Sequence, residues 1–443
     1  MSTHKRFPLH TAALVALAVL WLPAIAGAAA VAGKQPDRLT ELQQKLDQSL
    51  KMIEALAARV HELEAKQPAT AAAAAAANPA TPGGDAPEAR LDAVEQKVSQ
   101  IEVANATRRS DDNGVALHGF ADVGIGTYNP TSTGVKGFNV GNLDFYLTPR
   151  LGERTRALFE LNNEVGSDGG VGVDLERAQI GYQFSDRATV WLGRFHTPYG
   201  YVNTALHHGG WVTTALRRPK FLQFEDAGGI VPAHTVGLWV TGGMHTATGK
   251  VLYDAYVGNA QLIQDGVIDM RNAGNAHGHL IAGGRVGYQF GGAADGLTVG
   301  LHAFSARIDD DLVASNATRV LSYGAYLVYD TDRWEHMAEL YLFDDRDLTG
   351  ATGNHSSTAG FVQLGYRAPW GVPYLRYERT SLDQADQYFL QQESGGSYYR
   401  GALGTRFDID PKSALKFEFA NTHLTDRLRD QYSEALVQYA IRF

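Results

Sequence analysis

Two groups of residues in this sequence have types and spacings that could support chemistry. The first runs His196-Thr197-Pro198-Tyr199-Gly200-Tyr201, then His207-His208-Gly209-Gly210-Trp211, Arg217-Arg218-Pro219-Lys220 and Glu225-Asp226. Together with His234 and His245 it offers imidazoles to a metal such as zinc or copper. The spacing argues against that use. Adjacent His207 and His208 would point apart on a strand, and no spacing matches a helical metal motif, so no metal ligand and no cofactor are expected. The second group consists of charges at every second position in strand-like runs. Its bases are Arg150, Arg156, Arg177, Arg194, Arg285, Arg367, Arg376, Arg400, Arg406 and Lys416. Its acids are Asp144, Glu160, Glu335, Glu339 and Glu378, with Asp408 and Glu418. No Gly-x-Ser-x-Gly nucleophile turn occurs, no Ser-His pairing stands out, and there is no cysteine for a thiolate, so an enzyme is not expected.

The elements that must position these charges are strands. From about Val115 to the C-terminus apolar and polar residues alternate with a period of two. Phe443, Ile441, Tyr439, Val437 and Ala435 fall on one face, and Arg442 and Gln438 on the other. About 16 such segments of roughly 10–13 residues can be counted, the length and pattern of transmembrane barrel strands. Short connections (Ser185-Asp186, 292–296, 330–333, 368–371, 408–412) alternate with longer ones (127–136, 259–277, 309–318, 383–394), as in outer-membrane barrels with the long side outside. The expected fold is thus all-β, an antiparallel transmembrane barrel over 115–443. A soluble sandwich or propeller would need neither strands this long nor a strictly apolar outer face. Charges facing lipid are costly, so their concentration on one parity implies a watery interior. Opposed Arg and carboxylate rows would set a transverse field there. Bases outnumber acids on that wall, which predicts a mild anion preference, unless the charges simply pair with one another.

Upstream, Lys5 and Arg6 precede an apolar run from Thr11 to Ile25 and the small-residue stretch Ala24–Ala28, the regions of a secretory signal peptide spanning 1–28. Its removal takes away two bases and no acid, so the net charge falls from −9 to −11. Over 36–66 a heptad places Leu39, Leu46, Ile53 and Val60 at a, with Leu42, Ser49, Leu56 and Leu63 at d. That is a coiled coil roughly 36 Å long between its first and last apolar positions. An Ala/Pro/Gly linker covers 67–90, and a short helical segment 91–105. A coiled coil requires partner chains, so a homo-oligomer is implied. The composition agrees: 20% charged residues and 10% aromatics with a mean hydropathy of −0.22 are too polar for a helical membrane protein. The net negative charge argues against a nucleic-acid partner.

With its terminal Tyr439-Ala440-Ile441-Arg442-Phe443, the alternating exported chain resembles a Gram-negative outer-membrane barrel. Phe443, on the lipid-facing parity, is similar to the signal that the barrel-assembly machinery reads. A coiled coil ahead of about 16 strands resembles trimeric porins with a periplasmic coiled-coil extension, such as the DcaP-like group. The resemblance implies an outer-membrane location with the coiled coil in the periplasm, contact with outer-membrane lipid, a homotrimer, and passive diffusion of small hydrophilic or anionic solutes. It also implies that the third external connection, 196–231, folds inward as the constriction, with His207, His208, Trp211, Arg217, Arg218, Lys220, Glu225 and Asp226 at the pore. The alternatives are a structural barrel that tethers envelope layers and an outer-membrane protein that binds a metal or ligand through the His-rich loop.

Overall fold

The computed structural model describes residues 117–127, 137–149, 151–165, 170–207, 210–225, 227–269, 278–310, 316–350, 353–426 and 430–443. The expected signal segment, coiled coil, linker and short helix lie outside the described residues, as do Arg150, His208 and Asp226.

The alternating segments form strands β1 (Leu117–Gly126), β2 (Gly137–Leu147), β3 (Thr155–Val165), β4 (Val171–Ser185), β5 (Ala188–His196), β6 (His234–Thr246) and β7 (Gly249–Asn259). A small hairpin follows, β8 (Leu262–Gln264) and β9 (Val267–Ile268). Then come β10 (Leu280–Phe290), β11 (Leu297–Asp310), β12 (Ala317–Asp330), β13 (Trp334–Asp347), β14 (Asn354–Tyr366), β15 (Val372–Ser381), β16 (Tyr398–Asp410), β17 (Ser413–Leu424) and β18 (Gln431–Arg442). With the small hairpin set aside, sixteen strands pair antiparallel in chain order and β18 pairs back onto β1, closing the barrel. Closure leaves no unpaired edge, which is what lets strands stand in lipid. The expected long connection 309–318 is shorter than its polar sequence suggested. Asp309 pairs with Ala317, so the strands run on and leave 311–316 between them.

The register fixes which side chains meet lipid. Leu301, Leu403 and Leu375 point outward, more than half exposed, while their neighbours His302, Ala402 and Arg376 are buried. At the rim with the short connections the outer aromatics pair into a girdle: Tyr182 with Phe184, Tyr288 with Phe290, Trp334 with Tyr366 and Trp370 with Phe407. Such belts sit where the bilayer meets water. Phe443 completes the girdle against Phe145, and its main chain exchanges two hydrogen bonds with Gly119 across the seam. A side chain at position 119 would meet the Phe443 ring at 2.3 Å, so the seam requires glycine there.

Candidate functional site

The connection from β5 to β6, residues 197–233, is the longest in the barrel and lies inside it. Its composition explains why. Tyr199, Val202, Phe221, Leu222, Ile230 and Val231 are buried, joining Phe195, Tyr256, Phe304, Tyr341 and Phe361 of the wall in one apolar cluster. Its two short helical pieces are α1 (Val202–Ala205) and a single 3-10 turn at Lys220–Leu222.

Polar wall residues then pin the loop's main chain, beginning at β13. There Glu339 accepts from the backbone N–H groups of Tyr201 and Val202, both at 2.7 Å, and from the Tyr341 hydroxyl at 2.6 Å. Gly200 makes this approach possible. It adopts φ of +53°, and a Cβ there would stand 2.3 Å from Glu339 Oε2. From β10, Arg285 donates to the Gly200 carbonyl and the Thr204 hydroxyl, each at 2.7 Å, while its Nε holds Asp254 at 2.6 Å.

The loop's far end rests on β15–β18, across the lumen from its root. Glu378 accepts from Lys220 N at 2.6 Å, and the Tyr398 hydroxyl accepts from Phe221 N at 3.0 Å. Arg376 donates to the Arg217 carbonyl at 2.6 Å and to Glu378 at 2.9 Å. Glu434 takes Arg217 at 2.8 Å and Arg400 at 2.5 Å, and Glu418 lies 3.6 Å from Arg400. Arg217, Arg376 and Arg400 therefore face Glu378, Glu418 and Glu434, a locally balanced set. The Trp211 region differs. Arg406 donates to the carbonyls of Trp211 and Thr213 at 2.5 and 3.0 Å, and Lys416 reaches the Gly210 carbonyl and the Thr213 hydroxyl. The guanidiniums of Arg442 and Arg406 lie 4.2 and 5.2 Å from the Trp211 ring. Two guanidiniums thus face one indole, and Lys416 holds the loop on either side of it. Beside it, a cavity of about 440 Å³ is lined by Trp211, Thr214, Glu335, Arg367, Arg406 and Asp408, among others.

The remaining expected residues distribute as follows. Arg177 pairs with Glu160 and lies over Tyr146, with Asp144 buried nearby. Arg156 is exposed near the short-turn rim and donates to Gln183 at 2.7 Å. Arg367 lies just beyond β14, where it holds Asp330 and Glu335. Arg194 departs from expectation. It shares the outer face of β5 with Leu192, which is 64% exposed, and its Nε donates to the Glu176 carbonyl at 3.1 Å. Arg218 is a strut within the loop, donating to Leu222 O at 2.6 Å and Asn203 Oδ1 at 2.8 Å, so it is not presented to the lumen.

At the loop's root a residue that the sequence pattern did not mark, Glu176, joins three of the candidate histidines. His196 ends β5, His234 begins β6, and His207 follows α1. The β3–β4 register slips between Glu160 and Leu161, which pair with Arg177 and Leu175, so Glu176 is the extra residue of a bulge. The bulge brings its carboxylate 2.6 Å from His234 Nε2. Burial pushes the Glu225 carboxyl up, but the charge of His234 and the hydrogen bonds it accepts outweigh this and hold it below its ordinary range. His245 is exposed near the opposite rim, apart from this group.

A closed sixteen-stranded antiparallel barrel with an apolar exterior, a charged interior and an inward third loop defines a class, the transmembrane β-barrels of outer membranes. Among solved structures, the fold is similar to a loop-deletion mutant of OmpT, an outer membrane protein of Vibrio cholerae. The TM-score is 0.52 at 11% identity, over 75% of this chain and 100% of that one. It is also similar to an anion-selective porin from Comamonas acidovorans, with a TM-score of 0.50 at 16% identity, over 74% of this chain and 98% of that one. No family model and no curated protein matches the sequence.

Proposed function

We propose that the chain is an outer-membrane porin through which small hydrophilic solutes, anions preferred, diffuse passively down their gradients. The observation that carries this reading is the loop itself, laid across the lumen from β5 and held at its far end by Glu378, Tyr398 and Arg376. A barrel that serves only as a wall has no need of a loop fastened inside it. A loop fixed there sets a cross-section and a field for whatever crosses. The grouping of Arg406, Arg442 and Lys416 about the Trp211 segment supports the anion preference, although Arg406, the one that lines the cavity, is paired with Asp408 at 2.8 Å. The similarity in fold to a porin named as anion-selective agrees with it. In this reading the heptad over 36–66 holds three copies together from the periplasmic side, and Phe443 serves as the assembly signal.

Planar-bilayer recording tests the proposal. Single-channel steps with zero-current potentials on the anion side at low salt are expected, and cation preference would reject the selectivity. Liposome swelling with sugars, amino acids and dicarboxylates tests the pore itself. An absence of flux in that assay would favour an envelope-tethering role.

A further inference from the structure

We propose that Glu176, His196, His207 and His234 bind one divalent transition-metal ion of the zinc class, which staples the root of the third loop to β4, β5 and β6. Among the described residues this set offers one ligand atom from each member, all four within 4.8 Å of one another, and every member is buried. In a tetrahedral zinc site with bonds near 2.1 Å, neighbouring donors are about 3.4 Å apart. Here His234 Nε2 lies 2.6 Å from Glu176 Oε2 and 2.9 Å from His207 Nε2, and the His196 and His207 rings stack. To admit the ion these donors must spread by about 1 Å, and His196, whose ring lies face to face on His207 with its Nε2 3.4 Å from Glu160, must turn toward the other three.

The surrounding hydrogen bonds decide what these nitrogens can do. His207 Nδ1 is 2.7 Å from the Asn203 carbonyl, which can only accept, so the proton of a neutral ring sits on Nδ1. His234 Nδ1 faces the Glu225 carboxylate at 3.2 Å, with the same consequence. Both Nε2 atoms then present lone pairs to each other across 2.9 Å, with a carboxylate oxygen beside them. With both rings neutral, three lone-pair donors converge in a buried site, which requires a cation among them: a proton on His234 Nε2 held by Glu176, or a metal ion that displaces it. An Nδ1–H donated to a carbonyl or carboxylate, with Nε2 left as donor, is also the arrangement that orients metal-ligating histidines. Charge agrees with this. Glu160 is engaged by Arg177, leaving Glu176 and Glu225 to bring two negative charges to the site. Three histidines with one carboxylate suit zinc, copper, nickel or cobalt and not calcium or magnesium. Because all four donors are buried, the site is closed, as structural sites are.

The sequence pattern predicts no metal here because it looks for ligands on one element. The fold instead collects them from a bulge, two strand ends and a loop. The proposal stands whether or not the barrel conducts.

The test uses the full-length protein in detergent, dialysed against Zn²⁺ alone and, separately, Co²⁺ alone. One ion per chain by elemental analysis is expected, with the intense visible bands of tetrahedral cobalt. His207→Gln is expected to weaken Zn²⁺ binding by more than about 100-fold, and Glu225→Gln, which keeps an acceptor for the Ala233 and His234 backbone N–H groups but alters the support of the His234 ring, by roughly 10–100-fold. His245→Gln on the far rim should bind as the parent does. A folded parent protein that retains no ion and gives no cobalt bands overturns the proposal, as does undiminished affinity in a folded His207→Gln variant. Should that variant fail to fold, the cobalt spectrum of the parent decides alone.

Discussion

Glu339 gives the sharpest test of how the inward loop is held. One of its oxygens accepts two loop N–H groups at 2.7 Å, and the other accepts the Tyr341 hydroxyl at 2.6 Å. Hydrogen bonds to a charged acceptor contribute about 1.5–3 kcal/mol each, and removing one partner of a buried polar set leaves the others desolvated and unmatched. Glu339→Ala strips the acceptor from both loop N–H groups and from Tyr341 at once, so the loop's docking should weaken by about 3–5 kcal/mol. Glu339→Gln keeps a carbonyl for the two N–H groups, and the Tyr341 hydroxyl can turn to accept from the new amide. Its cost should stay near 1–2 kcal/mol, the difference between a charged and a neutral acceptor. Because β13 remains paired on both sides, the loss should fall on the loop and spare the barrel. Single-channel recording should therefore show larger or flickering conductance in Glu339→Ala and near-parental steps in Glu339→Gln. Heat-modified gel migration should stay unchanged in both. Parental conductance and noise in Glu339→Ala would refute the claim that this carboxylate pins the loop.

Other perturbations follow from the same geometry. Gly200→Ala forces a side chain into a left-handed φ against Glu339, costs about 1–3 kcal/mol of strain, and should mimic Glu339→Ala in recordings. Trp211→Ala removes the indole between Phe120 and the Arg406–Arg442 pair and should raise conductance by opening the adjoining cavity, while Arg406→Gln should move the zero-current potential toward cations. Asp386 lies in the β15–β16 connection, buried, where it accepts from Tyr388 N at 2.9 Å and begins the short helix α2 (Gln387–Leu390). Burial pushes its carboxyl up to about 6, above the 3.8 of the unfolded chain. Protonated and paired with the Asp345 carboxyl in the fold, it favours the folded state fully below pH 4, and that advantage is lost as pH rises through 6. Asp386→Asn should flatten the dependence of melting temperature on pH between 4 and 7, and an unchanged slope would count against it. Deleting Phe443 removes both seam hydrogen bonds to Gly119 and should lower the yield of folded barrel on outer-membrane fractionation.

Which parts of this molecule were legible in its sequence follows from how far apart the deciding residues lie. Strand identity and facing are local. Alternation in β15–β17 places Arg376, Glu378, Arg400, Lys416 and Glu418 inward because their outer neighbours, Arg379 beside Glu378 excepted, are apolar or glycine. On β5 the alternation carries no information, since Trp191 and Phe195 pack inward on Trp239 and Tyr256 while Leu192 faces out. With apolar residues on both faces, the parity of Arg194 could not be read. Charge partners were hidden for a different reason. Arg217 meets Glu434, 217 residues further along the chain, so a count of inward bases overstated the free positive charge.

Glu176 shows the limit most clearly. Strict period two carried back from Ile180 and Tyr182, which face lipid, assigns it to that outer face, opposite Arg177. One extra residue against Glu160 turns it inward, and nothing in the residues Asp174 to Ala178 announces that slip. The bulge makes sense only once His234 and His207 are in place to receive a carboxylate, and the loop alone brings His207 there. The local irregularity and the distant histidines therefore account for each other. A strand pays about one ladder hydrogen bond to form a bulge, and here the displaced side chain is the one that completes a four-donor cluster.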